Sequence, residues 1–211
     1  MNHRLTPDEI YFKLYQMFPH AEAELVHNNA YELSIAVMLS AQTTDIAVNK
    51  VTPALFEKFP SVYELALSSP QEIETYIKTL GLYRNKAKSM FNFAHEVIGN
   101  FNGEIPNTRE ELMTLSGIGR KSANVILSVI FNVPAIAVDT HVERVSKRLR
   151  LAYQNDSVLK VEQKLMRKFR KEYWNKLHHL LIFFGRYHCK SQAPLCETCP
   201  FTSFCYYYKH L

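Results

Sequence analysis

Four cysteines lie together near the end of the sequence and are its clearest candidates for metal chemistry. They are Cys189, Cys196, Cys199 and Cys205, with the spacing C-x6-C-x2-C-x5-C, and no cysteine precedes them. Four thiolates hold either a tetrahedral zinc ion or a 4Fe–4S cluster. The first residues are polar and lack the apolar stretch of a signal peptide, so we expect a cytoplasmic protein. In that compartment, clustered cysteines indicate metal ligands in preference to disulfides.

A second candidate site is the segment Leu115–Leu127, LSGIGRKSANVIL, which predicts a tight turn between two helices. Gly117 and Gly119 flank Ile118, and glycine permits positive backbone dihedrals and close approach of another backbone. Such a turn directs main-chain N–H groups, at the positive end of the next helix dipole, toward a phosphate group. With Arg120 directly after it, the turn predicts a site for a nucleic-acid backbone, and the alternative is a turn without function.

Lys121 follows in the first turn of the second helix, a position that is unusual for a cation. The helix dipole and the neighbouring Arg120 both disfavour an ammonium ion there, and desolvation in a cleft would add to this effect. A neutral lysine amine is a nucleophile that can form a Schiff base. The alternative is that Lys121 only contacts a phosphate group.

Asp139 is the candidate acidic partner of that amine. It ends the apolar run 135–138 and precedes a helix that is expected to begin near His141. A carboxylate close to a sugar would stabilise positive charge that develops during bond cleavage and would assist proton transfer. The alternative is that Asp139 is a helix N-cap, since aspartate is strongly preferred at that position.

The elements that must position these residues are helices. Thr6-Pro7-Asp8-Glu9 has the pattern of an N-cap, a first-turn proline and a capping-box glutamate. Ser69 and Thr108 begin two further helices of the same kind. The nearly continuous apolar segment 33–39 predicts a buried central helix.

Glycines and one short apolar run complete this prediction. Gly81 and Gly99 are placed where helix C-caps are expected. The run 135–138 has no convincing partner strand, so the pattern predicts an all-α fold of about ten helices. Val133-Pro134 interrupts the helical pattern and predicts a boundary near residues 133–140.

Composition and charge limit the function classes. The hydrophobic content of 47% is typical of an ordered globular protein, and no apolar run approaches the length of a membrane span. Residues 1–80 contain 5 Lys and Arg against 10 Asp and Glu, whereas residues 143–190 contain 13 against 4. A cationic face of this kind suits a polyanionic partner, although a solvated basic surface is the alternative.

Taken together, these motifs resemble the endonuclease III family of helix–hairpin–helix DNA glycosylases. The hairpin lysine, the VDTH sequence at 138–141 and the cysteine spacing occur in the order of that family. Two further blocks, LSAQTTD at 39–45 and GLY at 81–83, are also similar. The resemblance covers the chain from about residue 30 to Cys205. The usual hairpin has proline where this sequence has Ser116.

The resemblance implies a fold and an activity. It implies two helical lobes, one formed by residues 23–132 with the hairpin and the other by residues 1–22 plus 133–211 with the cluster loop. It implies a monomeric base excision repair enzyme that acts on double-stranded DNA, removes oxidised pyrimidines and cleaves the strand 3′ to the abasic site by β-elimination. Lys121 would attack the sugar and Asp139 would assist.

The resemblance also assigns the remaining residues. The four cysteines would bind a 4Fe–4S cluster, and Lys190 would be the one cation of the loop between the first two. Gln42 would occupy the space of the extruded nucleotide, and Leu82 would insert into the base stack; a surface glutamine and a packing leucine are the alternatives. Gly117, Ile118, Gly119 and Arg120 would contact DNA phosphates. Backbone carbonyls of the hairpin could hold a monovalent cation.

The same motifs allow two other functions. A monofunctional adenine-mismatch glycosylase resembles the same lobes and cluster, but relatives of that type generally lack the hairpin lysine and carry a further C-terminal domain, whereas this sequence has Lys121 and ends six residues after Cys205. The other is a non-enzymatic module that grips DNA and has a structural zinc ion. It predicts a colourless protein that forms no covalent adduct with DNA.

Overall fold

The chain folds into helices joined by turns and loops in the part that the computed structural model describes, residues 5–210. Eleven α-helices and no strand lie within that range, which confirms the all-α prediction. Residues 1–4 and residue 211, which belong to the predicted second lobe, lie outside the described residues. Within the described range, no helix combines the length and apolar character needed to cross a membrane.

One compact unit comprises Ala23–Asn132 and is called the hairpin unit below. The predicted buried helix is confirmed, because every residue of 33–39 is buried. Ser34, its one polar side chain, donates to the carbonyl of Ala30 at 2.7 Å and is therefore satisfied within its own helix. The helices of this unit are α2 (Ala30–Leu39), α3 (Asp45–Lys58), α4 (Val62–Ala66), α5 (Pro70–Ile77), α6 (Tyr83–Phe101), α7 (Arg109–Leu112) and α8 (Arg120–Val129).

The other compact unit joins the described residues up to Glu22 to those from Val133 onward, and is called the cysteine unit. Its core contains Leu14 from the first helix together with Val142, Leu180 and Phe184, all with no exposed surface. The N-terminal helix therefore packs with the C-terminal part of the chain. The helices are α1 (Pro7–Met17), α9 (Thr140–Arg148), α10 (Val158–Lys168) and α11 (Trp174–Phe183), followed by a π-helical turn (Phe184–His188).

The three helix starts predicted from capping motifs are confirmed. Thr6 and Glu9 form both bonds of a capping box at the start of α1. Ser69 accepts from the amide of Glu72 at 3.2 Å, and Thr108 accepts from that of Glu111 at 3.3 Å. Each hydroxyl satisfies an amide that the first helical turn leaves without an intrahelical partner.

The two predicted glycine caps are wrong. Helix α5 ends at Ile77 with Lys78 as its C-cap, so Gly81 lies beyond the cap. Helix α6 continues through Gly99 to Phe101. It ends at Asn102, with φ 53°, and Gly103, with φ 84°. These two adjacent residues adopt the left-handed backbone readily, so they terminate the helix later than a single glycine suggested.

The apolar run 135–138 is buried but forms no strand. It leads into α9 as an extended segment, and the amide of Ala135 donates to Oδ1 of Asn175 at 3.0 Å. A side chain of α11 thus supplies an acceptor that a neighbouring strand would otherwise provide. This tether fixes the backbone that precedes Asp139.

Candidate functional site

The predicted hairpin is present between α7 and α8. Gly117 has φ 80°, and a Cβ added there would lie 2.9 Å from the side chain of Met38. Both observations require glycine. Ile118 is 5% exposed and anchors the turn in the core. The hairpin is therefore held by a buried apolar side chain between two exposed glycines.

Gly119 differs from the sequence-based expectation. Its φ is −92°, so no positive dihedral requires glycine, and nothing lies within 4 Å of an added Cβ. It is the N-cap of α8 and, since it has no side chain, it caps the helix with its backbone alone. The amides that begin α8 are thus free of a side-chain cap at this position, and the space beside Gly119 is open to another molecule.

Lys121 lies in the first turn of α8 and is exposed. Arg120, the first residue of that helix, is half-buried. The side chain of Lys121 is therefore available to a bound molecule at the same helix end that presents the hairpin. The sequence led us to expect a desolvated Lys121 amine, but within the hairpin unit this side chain is exposed to solvent.

Asp139 is the N-cap of α9, so the structural role weighed for it is confirmed. Its Oδ1 accepts from the amide of Val142 at 2.8 Å. Helix α9 begins at Thr140, one residue before the predicted start. The cap uses only one of the two carboxylate oxygens and holds the half-buried side chain in a fixed orientation.

Gln42 and Leu82 share an uncommon backbone conformation. Both have left-handed dihedrals, with φ values of 53° and 58°, and both are exposed. Leu82, which is 54% exposed, is the N-cap of α6. A left-handed conformation is costly for a residue with a Cβ and tends to occur at functional positions. The packing role weighed for Leu82 does not fit a side chain that is more than half exposed.

The loops that carry Gln42 and Leu82 are joined by a residue that sequence reasoning missed. Lys86, in the first turn of α6, is only 5% exposed, and its Nζ donates to Oγ1 of Thr43 at 2.7 Å. Burial lowers the pKa of this lysine. Its spacing from Met90 and Phe93 follows the buried face of the helix, and this periodicity is the signal that could have identified it.

Thr44 is the N-cap of α3 and accepts from the amide of Ala47 at 3.3 Å. Asp45 is the first residue of that helix. The LSAQTTD block therefore forms a turn, with Gln42 at its left-handed position, followed directly by a helix.

The four cysteines line one cavity, with about 310 Å³ of space free of protein atoms, part of it open to solvent. Burial, and to a smaller extent the other three cysteines, raise the pKa of the Cys199 thiol to about 11. Burial also raises the pKa of Cys189, although Nη1 of Arg148 donates to its sulfur at 3.3 Å. Burial and neighbouring cysteines disfavour the thiolates of Cys189 and Cys199, so this cavity fits a cationic group that would stabilise them.

Among the described residues, no group of three or more His, Cys, Asp or Glu side chains has the arrangement of a metal site. Lys190, in the loop between the first two cysteines, is exposed, and its carbonyl accepts from Arg148 at 2.7 Å. The guanidinium of Arg148 also lies 3.9 Å from the ring centroid of Tyr207. This arginine thus ties the cysteine loop to helix α9.

The chain is similar in sequence and in structure to several known proteins. Residues 35–171 match the family described as HhH-GPD superfamily base excision DNA repair protein. Endonuclease III of Bacillus subtilis (strain 168) is 55% identical over 193 residues, covering 92% of this chain and 88% of that protein. Endonuclease III of Rickettsia felis is 40% identical over 204 residues, covering 95% of each. A solved structure of a trapped endonuclease III–DNA covalent intermediate, in an estranged-adenine complex, superposes with a TM-score of 0.94 at 52% identity and covers 98% of both chains.

Proposed function

Because this chain belongs to the endonuclease III family, within the HhH-GPD superfamily of base excision DNA repair proteins, we propose that it removes oxidised pyrimidines from duplex DNA and cleaves the strand at the abasic site. It is a DNA glycosylase and abasic-site lyase. The observation that carries this proposal is the exposed Lys121 in the first turn of α8, directly after a hairpin whose helix cap has no side chain.

The hairpin binds the DNA backbone. Amides at the start of α8 donate to a phosphate oxygen, and the helix dipole stabilises the negative charge. The open space beside Gly119 allows the phosphate to approach closely. Gly117, Ile118 and Arg120 complete this contact. The contact does not depend on base sequence, because it involves only phosphate groups.

The chemistry begins with the extruded nucleotide. The neutral amine of Lys121 attacks C1′, the bond from C1′ to the damaged base breaks, and the base leaves with the bonding electrons and a proton. The nitrogen gives one of its protons to the departing base and the other to O4′ as the C1′–O4′ bond breaks and the C=N bond forms, and the product is a Schiff base between Lys121 and the opened sugar. Removal of a C2′ proton then expels the 3′ phosphate in a β-elimination. Water finally hydrolyses the Schiff base and releases the enzyme.

Asp139 supports the first step. Its carboxylate stabilises the positive charge that develops on the sugar and accepts a proton from the lysine. The cap to Val142 uses Oδ1 and holds the side chain in a fixed orientation. The relative with a trapped covalent DNA intermediate supports the covalent route for this chain.

Gln42 and Leu82 keep the extruded nucleotide outside the DNA double helix. Gln42 fills the vacated space, and Leu82 inserts into the base stack as an apolar wedge. Their exposure and left-handed backbones support these roles. The Lys86–Thr43 hydrogen bond holds the two loops together in the free protein. The loops therefore lose less conformational entropy when DNA binds.

We propose a 4Fe–4S cluster as the group that the four cysteines hold, with Lys190 as the one cation that its loop offers to DNA. When bound, such a group cross-links the C-terminal segment and supplies no step at the sugar. Visible absorption by the purified protein, with iron and sulfide, supports the cluster; a colourless protein with one zinc ion would contradict it. The monovalent cation at the hairpin, the cytoplasmic location and the monomeric state remain predictions.

Borohydride trapping tests the proposed reaction, because reduction of a Schiff base leaves a stable bond between protein and DNA. We expect an adduct with a duplex that contains thymine glycol, and none with Lys121→Gln. Lys50→Gln, which removes an exposed lysine from α3, is the matched control and should trap as well as the wild type. An adduct that survives Lys121→Gln excludes Lys121 as the nucleophile. Release of adenine from a mismatch without any adduct would instead support the monofunctional alternative.

A further inference from the structure

Ser116, the residue that replaces the usual hairpin proline, makes an unexpected contact. Its amide donates to Oε2 of Glu96 at 2.6 Å, and its hydroxyl donates to Oε1 at 2.7 Å. Both oxygens of one carboxylate are therefore bound to one residue at the start of the turn. Hydrogen bonds to a carboxylate are shorter and stronger than those between neutral groups.

Glu96 is attached to a rigid part of the hairpin unit. It lies in α6, where the adjacent Phe93 and Val97 have no exposed surface. Ser89, seven residues earlier on the same face, also lies beside the turn, since its Cβ is 3.2 Å from a Cβ placed on Gly117. The hairpin thus rests on two turns of a helix that the core holds in place.

Proline restrains a turn by fixing φ and by lacking an amide hydrogen that needs a partner. Serine fixes nothing by itself, so a turn that begins with serine samples more conformations. The two bonds to Glu96 remove that freedom and satisfy the amide at the same time. They restrain the same residue by another route.

We propose that Glu96 is a positioning residue that holds the DNA-binding hairpin, through Ser116, in the conformation that receives the phosphate. The inference rests on the proposed function, since the hairpin must bind DNA for its order to matter. A carboxylate near a phosphate site would otherwise only repel DNA. The two effects have opposite signs, so affinity separates them.

The test measures binding to a duplex with a tetrahydrofuran abasic-site analogue, in two backgrounds. In the wild type, Glu96→Ala should weaken binding about tenfold, because a turn restrained by two charge-assisted bonds becomes free. In the Ser116→Pro background, Glu96→Ala should cost nothing, since the ring already fixes φ. Glu57→Ala removes the same charge from an exposed position on α3 and should change affinity little.

Salt dependence provides a second readout. Loss of positioning lowers affinity by the same factor at every salt concentration, because the number of released counterions is unchanged. Tighter binding of Glu96→Ala at low salt would show that the carboxylate acts by repulsion and would overturn the proposal. An equal loss in the two backgrounds would also overturn it, because Glu96 would then act independently of Ser116.

Amide exchange in the free protein separates this proposal from the proposed function. Exchange of the amides from Ser116 to Lys121 should be faster in Glu96→Ala than in the wild type. Unchanged exchange refutes the positioning role even if DNA binds. If the wild type does not bind the duplex, the proposed function fails, and the role of Glu96 in DNA binding fails with it whatever the exchange shows.

Discussion

At the scale of single residues, the carboxyl group of Asp139 has a structural role and a proposed catalytic role. Oδ1 caps α9 through Val142, and the proposed reaction needs the negative charge. Asparagine is nearly as good an N-cap as aspartate, but it has no charge and accepts no proton. The two uses can therefore be separated by substitution.

We expect Asp139→Asn to reduce single-turnover base release at least about 100-fold, while DNA affinity and the free energy of unfolding change little. Asp139→Ala should lose activity to the same extent and also about 1 kcal/mol of stability, because the cap is lost. Single-turnover kinetics and urea unfolding of both variants make the comparison. If Asp139→Asn is as unstable as Asp139→Ala, the asparagine does not cap α9. Its lower activity would then reflect the lost cap as well as the lost charge.

At this scale, the sequence predicted the role of a residue only where its type and its neighbours in the sequence indicate the same role. Asp139 precedes a helix, so its cap could be predicted from its neighbours. The Glu96–Ser116 contact could not, because it joins residues 20 positions apart and depends on how α6 lies against the hairpin. The Lys86–Thr43 bond joins residues 43 positions apart and has the same character.

At the scale of elements, the end of α6 shows why helix starts were easier to predict than helix ends. A start is specified by a side chain that bonds two or three residues ahead, as at Thr108. An end requires only a residue that tolerates the left-handed backbone, and Asn102 serves in place of the expected Gly99. Gly99 is consequently an ordinary, exposed position within the helix.

Two glycine substitutions near this end should have opposite effects on stability. Gly99→Ala should stabilise the protein by about 0.5–1 kcal/mol, because alanine favours the helix and nothing lies within 4 Å of its Cβ. Gly103→Ala should destabilise it by more than about 1 kcal/mol, because φ is 84° and the Cβ would clash with the Tyr63 ring. Urea unfolding measures both. Stabilisation by Gly103→Ala would show that the turn after α6 relaxes without cost.

At the scale of the whole molecule, the basic residues and the candidate metal ligands are concentrated in the same unit. The basic stretch 143–190 and all four cysteines belong to the cysteine unit, while the lysine proposed as nucleophile belongs to the hairpin unit. Composition predicted the polyanionic partner, but it contains no information on which residues share a core. The family resemblance implied that residues 1–22 join residues 133–211, but only the structure shows that Leu14 and Phe184 share a core.

Separate cores predict a local response to loss of the metal group proposed for the four cysteines. Cys189 and Phe201 are part of the core of the cysteine unit, and Cys199 packs against it, so ligand loss should loosen that unit. The hairpin unit has its own buried helix, α2, and should keep its protection. We expect Cys199→Ser to accelerate amide exchange in residues 133–210 and in α1, with 23–132 unchanged; Ser203→Ala, an exposed change in the same segment, should leave both units as in the wild type. Faster exchange throughout the chain in Cys199→Ser would mean that the two units unfold as one cooperative structure.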